Sequence, residues 1–144
     1  MQIIHGIGFF LSSPAGKILM VRELKSKPHY GKSAGMLSVP FETIEDGETK
    51  ESAIRRLIHE EIGGIEIEII TEPVFFKEFL IKLSAIHSVR LSVFTGIVAD
   101  EFAAHPNDTD VEYYGWMSLQ DILRLNPSGV RQEMIPICMA MNAR

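Results

Sequence analysis

The chain carries a single cysteine, Cys138, in 144 residues. That excludes an intrachain disulfide framework and any cysteine-built zinc site. Cys138 lies in an apolar run near the C-terminus with Ile135, Ile137, Met139 and Met141, so a buried small residue is expected there rather than a nucleophile. No apolar run approaches the roughly 20 residues of a membrane span. Basic residues are outnumbered, 14 Lys and Arg against 19 Asp and Glu, for a net charge of −5. The chain therefore has no electrostatic footprint for wrapping nucleic acid or coating an anionic membrane. The opening Met1-Gln2-Ile3-Ile4-His5 lacks the basic n-region of a signal peptide, and a cytoplasmic protein is the simplest expectation. The length suits one domain, residues 1–144, with a substantial core.

Apolar segments of strand length recur along the chain. Gln2 to Leu11 and Lys17 to Glu23 read as two strands of a hairpin around the turn Ser12-Ser13-Pro14-Ala15-Gly16. Residues 24–35 are polar, with Pro28 and two glycines, and carry Lys25, Lys27, His29 and Lys32. An ordinary solvated loop is expected there, ahead of a phosphate-facing one. Ile65 to Ile70, Val74 to Lys82, Val89 to Ala99 and Tyr113 to Met117 read as further strands, with an acidic loop at 100–112. Ser118 caps a short helix, Asn126-Pro127-Ser128-Gly129 breaks it, and a last helix is expected from about Val130 to Met141. Evenly spaced strands around one central helix indicate a mixed α+β sandwich.

The central stretch runs from Pro40 to Gly64, PFETIEDGETKESAIRRLIHEEIGG. A strand at Met36, Leu37 and Val39 leads into the acidic turn Glu45-Asp46-Gly47-Glu48 and then an amphipathic helix. Thr49 is its expected N-cap, and Gly63-Gly64 its stop. Projected at about 100° per residue, Ala53, Leu57, Ile54, Ile58 and Ile62 share one arc. Glu61 falls inside that arc, Glu60 falls at its edge, and His59 projects to the opposite side. Carboxylates are seldom buried unless they are paired or bind a metal. Glu61 therefore calls for a partner.

This stretch resembles the box of the Nudix (MutT-like) hydrolase family, G-x5-E-x7-R-E-U-x-E-E-x-G-U with U apolar. Glu48, Arg56, Ile58, Glu60, Glu61 and Gly63 match at the required spacing, and the Trp116 strand followed by a Ser-capped helix is similar to many chains of the family. Four residues depart from the family's usual sequence. Phe41 and Glu42 stand where glycines are usual, Leu57 stands where the glutamate after the arginine belongs, and Gly64 takes the last apolar position. The resemblance implies the Nudix fold, a mixed β-sheet sandwiched between helices (α/β/α). It also implies hydrolysis of a nucleoside diphosphate linked to another moiety, assisted by Mg²⁺ or Mn²⁺.

In the family the residue matching Leu57 is a principal metal ligand, together with those matching Glu60 and Glu61. The resemblance thus leaves Glu60 and Glu61 as metal-binding and catalytic candidates, with a metal expected to bind weakly. Glu42, Glu45 or Glu112 is a candidate to stand in for the missing acid, and Glu112 is also a candidate catalytic group. Glu48, Arg56 and Gly63 take the structural part of the box, the first two bracing the loop against the helix. Loss of the acid at 57 and of the two glycines motivates an alternative, a catalytically silent Nudix domain that binds a nucleotide-like ligand or a partner protein. Tyr30, Phe102 and Tyr113 are aromatics with a base-stacking option. Met134, Met139 and Met141 are open between core and a homodimer face.

Overall fold

The computed structural model describes residues 2–63 and 71–144. The expected strand at Ile65 to Ile70, and Gly64, lie outside the described residues. Among the described residues a mixed sheet of seven strands forms the centre: β1 (Gln2–Ser12), β2 (Lys17–Glu23), β3 (Leu37–Ser38), β4 (Phe41–Thr43), β5 (Val74–Lys82), β6 (His87–Ile97) and β7 (Val111–Ser118). The strand order is β3-β2-β1-β6-β5, with β4 also pairing β1 and β7 pairing β2. Three α-helices cover it: α1 (Lys50–Leu57), α2 (Leu119–Leu123) and α3 (Met134–Asn142).

The two faces of the sheet bury different helices because successive strand residues point to opposite sides. Ile7, Phe9 and Leu11 pack with Ala53, Ile54 and Leu57 of α1, while Phe10 turns the other way. That second face collects Met20, Leu91 and Val93 with Ile122 of α2 and Met134, Ile137 and Cys138 of α3. Coverage on both sides explains why β1 is buried without interruption from Gly6 to Leu11. Cys138 is fully buried, and burial pushes its thiol up to about 12. A thiol held protonated in this way is inert. Met134 joins the core, whereas Met139 is largely exposed.

Two expectations change in the assembled sheet. The opening hairpin meets only at Ser12 opposite Ile18. Over its full length β1 instead runs parallel to β6, from Gln2 opposite His87 to Ser12 opposite Ile97, and β2 pairs with β7. The last helix begins at Met134 rather than Val130. Val130 makes a parallel bridge to Leu37, and the Arg131 amide donates to the Leu37 carbonyl at 3.0 Å. A β-branched residue is well suited to that extended position.

β4 lies against β1 with Phe41 opposite Gly8. A Cβ added at Gly8 would come within 2.6 Å of the Phe41 ring, and the Arg131 guanidinium covers that ring at 4.9 Å. The ring has little room to yield, so Gly8→Ala is expected to destabilise the protein by about 1–3 kcal/mol, as overpacking does. Urea unfolding of the variant checks this; unchanged stability would mean that Phe41 swings aside freely.

Candidate active site

The site is built where α1 ends. Thr49 Oγ1 accepts from the Ser52 amide at 3.1 Å and starts the helix, which passes at Ile58 into a single π-turn, Ile58–Ile62. Gly63, at φ 111°, ends the turn by donating to the Ile58 carbonyl, a backbone conformation that favours glycine. Helix ends leave carbonyls without intrahelical partners, and here the acidic loop supplies donors. The amides of Asn107 and Asp108 reach the Glu60 carbonyl at 2.7 and 3.0 Å, and the His105 amide reaches that of Ile62 at 2.9 Å. Asn107 Nδ2 donates to the His59 carbonyl at 2.8 Å. These bonds hold Asp108 beside the end of the helix.

Arg56 organises the opposite side. Its Nε and Nη2 fork onto Glu48 at 2.9 and 3.1 Å, while Nη2 also donates to the Thr43 carbonyl at 2.6 Å. Nη1 donates to Glu42 at 3.3 Å and lies 3.6 Å from Glu60. Glu48 in turn accepts from the Glu45 amide at 3.0 Å. A fork of this kind ties three segments at once, β4, the acidic turn and α1. The Arg56 hydrogen bond holds the Glu48 carboxyl below the usual range. Glu45 is only a distant neighbour of Arg56, at 3.9 Å.

Glu42, Glu61 and Asp108 come together, each offering a carboxylate oxygen within 4.8 Å of the other two. Glu61 is 3% exposed, and its Oε2 has no hydrogen-bond partner. Burial raises its pKa to about 9, with the charges of Glu42 and Asp108 adding to the shift. Glu42 rises to about 7, by burial first and then by the neighbouring Glu60, against the pull of Arg56. Three acids with an unpartnered buried oxygen among them fit a hard divalent cation that takes oxygen ligands.

The remaining candidates lie elsewhere. Glu60 is half-buried and adjoins Glu42 rather than completing the three-acid cluster. Glu112 faces Arg22, with Nη1 to Oε1 at 3.2 Å on an exposed flank of the sheet. The alternation of β7 explains its position: Val111 lines the cavity beside the acids, so its neighbour Glu112 points away. Leu57 is fully buried in the apolar cluster with Phe9 and Ile54, and His59 is exposed.

Glu42, Glu61 and Asp108 line a cavity of about 290 Å³ shared with Lys27, Tyr30 and Lys32. The 24–35 loop is largely exposed, as its composition indicates, and three of its residues also form one wall of the cavity. Asp110 holds it there, bonded to Lys25 at 2.8 Å and to Lys27 at 3.1 Å. These two lysines pull the Asp110 carboxyl down to about 2. Tyr30 lines the cavity, whereas Phe102 stacks edge-on against Trp116 and Tyr113 packs on the α1 side of the sheet. Asp108 is the site residue that sequence reasoning missed. Its loop reads as acidic, yet no local pattern separates Asp108 from Asp100 or Glu101.

These shifts make stability depend on pH. Glu61 titrates near 4.5 when unfolded and near 9 when folded, so between those values the folded state holds a proton that the unfolded chain has released. Its contribution is fully present below 4.5 and is lost as the pH rises towards 9. Glu42 adds to the loss between 4.5 and about 7. The melting temperature of metal-free protein is expected to fall from about pH 5 to about pH 9. Thermal melts across that range check the slope; a flat profile would mean that Glu61 is ionised at neutral pH.

The family description "NUDIX domain" matches residues 4–137. Among solved structures, a NUDIX hydrolase from Nitrosomonas europaea superposes with a TM-score of 0.73 at 19% identity, over 99% of this chain and 89% of that one. The NUDIX domain of NrtR from Shewanella oneidensis, in complex with ADP ribose, gives 0.72 at 13% identity, over 100% and 90%. The MutT protein of Methanosarcina mazei Go1 gives 0.63 at 16% identity, over 99% and 96%. At these identities the likeness is one of fold. No curated protein matches the chain.

Proposed function

Because this chain belongs to the NUDIX domain family, we propose that it hydrolyses a nucleoside diphosphate linked to another moiety, using Mg²⁺ or Mn²⁺ held by Glu42, Glu61 and Asp108. The observation that carries this reading is the unpartnered, buried Glu61 oxygen within a cluster of three acids. Left without a ligand, such an oxygen bears the full cost of burial. When bound, the ion would neutralise charge on the diphosphate. Glu42 stands where the family pattern has glycine, and in this reading it supplies an acid that Leu57 does not.

The other groups have roles consistent with the same chemistry. Lys27 and Lys32, on the wall of the cavity, attract the phosphates and orient them. Glu60, half-buried next to Glu42, takes the proton of the attacking water. Arg56 keeps Glu42 and Glu60 in position. The ADP ribose bound by the Shewanella NUDIX domain is a nucleotide-like ligand of the kind expected here.

Calorimetric titration of Mn²⁺ and Mg²⁺ into metal-free protein tests the proposal. Saturable binding is expected, with protons released as Glu61 and Glu42 ionise; buffers of different ionisation enthalpy reveal that release. Turnover is then expected on at least one member of a panel of nucleoside diphosphate derivatives, ADP ribose included. Absence of metal binding up to millimolar concentration would overturn the reading.

A further inference from the structure

The sheet ends on β5, a strand of nine residues that pairs only with β6 among the described residues. An outer strand presents alternate N–H and C=O groups without ladder partners, which makes it a template for another strand. Such edges are usually kept short or heavily charged. Here the edge and its turn expose apolar side chains instead: Val74 is 63% exposed, Phe75 47%, Leu80 65% and Ile86 59%. Apolar exposure gathered in one place marks an interaction surface. The register shift of β5 falls between Phe75 and Lys77, so the stretch from Lys77 to Lys82 is regular against β6.

The charges on that stretch say what covers it. Glu78, Leu80 and Lys82 stand opposite Ser92, Arg90 and Ser88, on the face that α1 covers further along, at Phe94. Phe79 and Ile81 are half-buried on the other face, against the core under α2 and α3. Glu78 accepts from Arg90 at 3.1 Å, while Lys82 is exposed and makes no ion pair among the described residues. A second copy added antiparallel at this edge is related to the first by a two-fold axis normal to the sheet, so one residue lies opposite its own copy. An axis at Lys77 or Glu78 sets like charges against each other. An axis at Phe79 or Ile81 sets charged side chains against apolar ones. The axis at Leu80 pairs Leu80 with itself, Phe79 with the partner's Ile81, and Glu78 with the partner's Lys82, each of the last two twice by symmetry. It also brings Ile86, in the turn, towards the Val74 end of the partner's strand. Acid, leucine and base alternate on one face and are self-complementary about the leucine.

We propose that the chain forms a homodimer by antiparallel pairing of two β5 edges centred on Leu80, which joins the two sheets into one. The Glu78 and Lys82 pairs set the register, because opposite charges across a ladder attract and like charges repel. The exposed apolar side chains supply the attraction. The ladder is short, so the interface belongs with the small, weak class of specific contacts. Glu78, Leu80 and Lys82 do not line the cavity that holds the three acids, and the pairing is independent of the hydrolase reading.

Sedimentation equilibrium of the full chain in buffer with chelator, from about 10 to about 500 µM, reads the mass. A concentration-dependent rise from 16.2 kDa towards twice that mass is expected. Leu80→Lys sets two lysines face to face on the axis and is expected to weaken association at least about tenfold. Lys82→Glu sets two glutamates together at each end of the ladder, and Glu78→Lys sets two lysines there; each alone is expected to weaken association by about tenfold. An equimolar mixture of these two variants regains both opposite-charge pairs in the mixed dimer, and only with the axis at Leu80. Its association is expected to return to within about threefold of the original chain. Thermal melts of each variant report folding separately, and Leu80→Lys with Lys82→Glu carries the test where loss of the Arg90 bond unfolds Glu78→Lys. A chain that stays at 16.2 kDa throughout would overturn the dimer and leave the edge open to a strand from another protein. Undiminished association of Leu80→Lys and Lys82→Glu would also overturn it and move the interface elsewhere, for instance to the exposed Ile135 and Met139 of α3. Folded single variants whose mixture stays monomeric would overturn the axis at Leu80.

Discussion

Replacing Glu61 by glutamine is expected to abolish saturable Mn²⁺ binding and to lower any turnover by about 10³-fold, while making the metal-free protein more stable at about pH 8. The two effects have opposite signs for one reason. Glu61 is buried beside Glu42 and Asp108 with one oxygen unpartnered, so its carboxylate is costly to hold unless a cation compensates it. Its pKa near 9 expresses that cost. Glutamine is neutral at every pH and keeps the shape, so it removes the protonation-linked loss of stability together with the ligand. A functional group retained against stability is the usual signature of a site. Melts with and without Mn²⁺, alongside calorimetry, read both effects. A variant that lost stability at pH 8, or that bound Mn²⁺ as tightly as the original chain, would remove Glu61 from the proposed centre.

Restoring a glutamate at position 57 is expected to damage the protein rather than improve it. The family pattern has an acid there, but Leu57 is fully buried among Phe9, Ile54 and Ile58 in the cluster between α1 and the sheet. An unpaired carboxylate in that cluster, added to the loss of the leucine contacts, should cost about 3–5 kcal/mol. Urea unfolding of Leu57→Glu without metal measures the loss. Stability equal to that of the original chain would show that residue 57 reaches the acids through the helix end, and would make the variant the natural one to assay for increased turnover. The contrast between positions 57 and 61 is the informative part. Both fall on the apolar arc of the helix, yet one side chain completes a core while the other carries an orphaned oxygen.

Much of the fold is legible in short stretches because it depends on neighbours in sequence. Thr49 and Ser118 cap their helices, accepting from Ser52 and Asp121, as residues of that type do wherever a helix follows. The bounds of β2 and β5 are those expected from apolar runs of strand length beside turn residues. The helix projection brings Glu61 into the buried arc with Ala53, Ile54 and Leu57, and these are buried. Glu48 and Arg56 are eight residues apart, close enough for box spacing alone to pair them.

The site's other members come from distant segments, and no local period encodes their meeting. Asp108 reaches Glu61 because open carbonyls at the end of a helix accept amides from a loop about fifty residues away. Glu112, only four residues further on, is turned outward by strand alternation and held by Arg22, 90 residues distant. Arg131 meets Glu23 across 108 residues, and the extended backbone that carries it is set by the Val130–Leu37 bridge. The sequence by itself determined the family, the caps, the bounds of β2 and β5 and the buried arc of α1, because periodicity and capping act over a few residues. Which acids share an ion site, and which charges lie buried without partners, only the tertiary structure decided, because those facts depend on the register of a sheet whose strands are far apart in the chain.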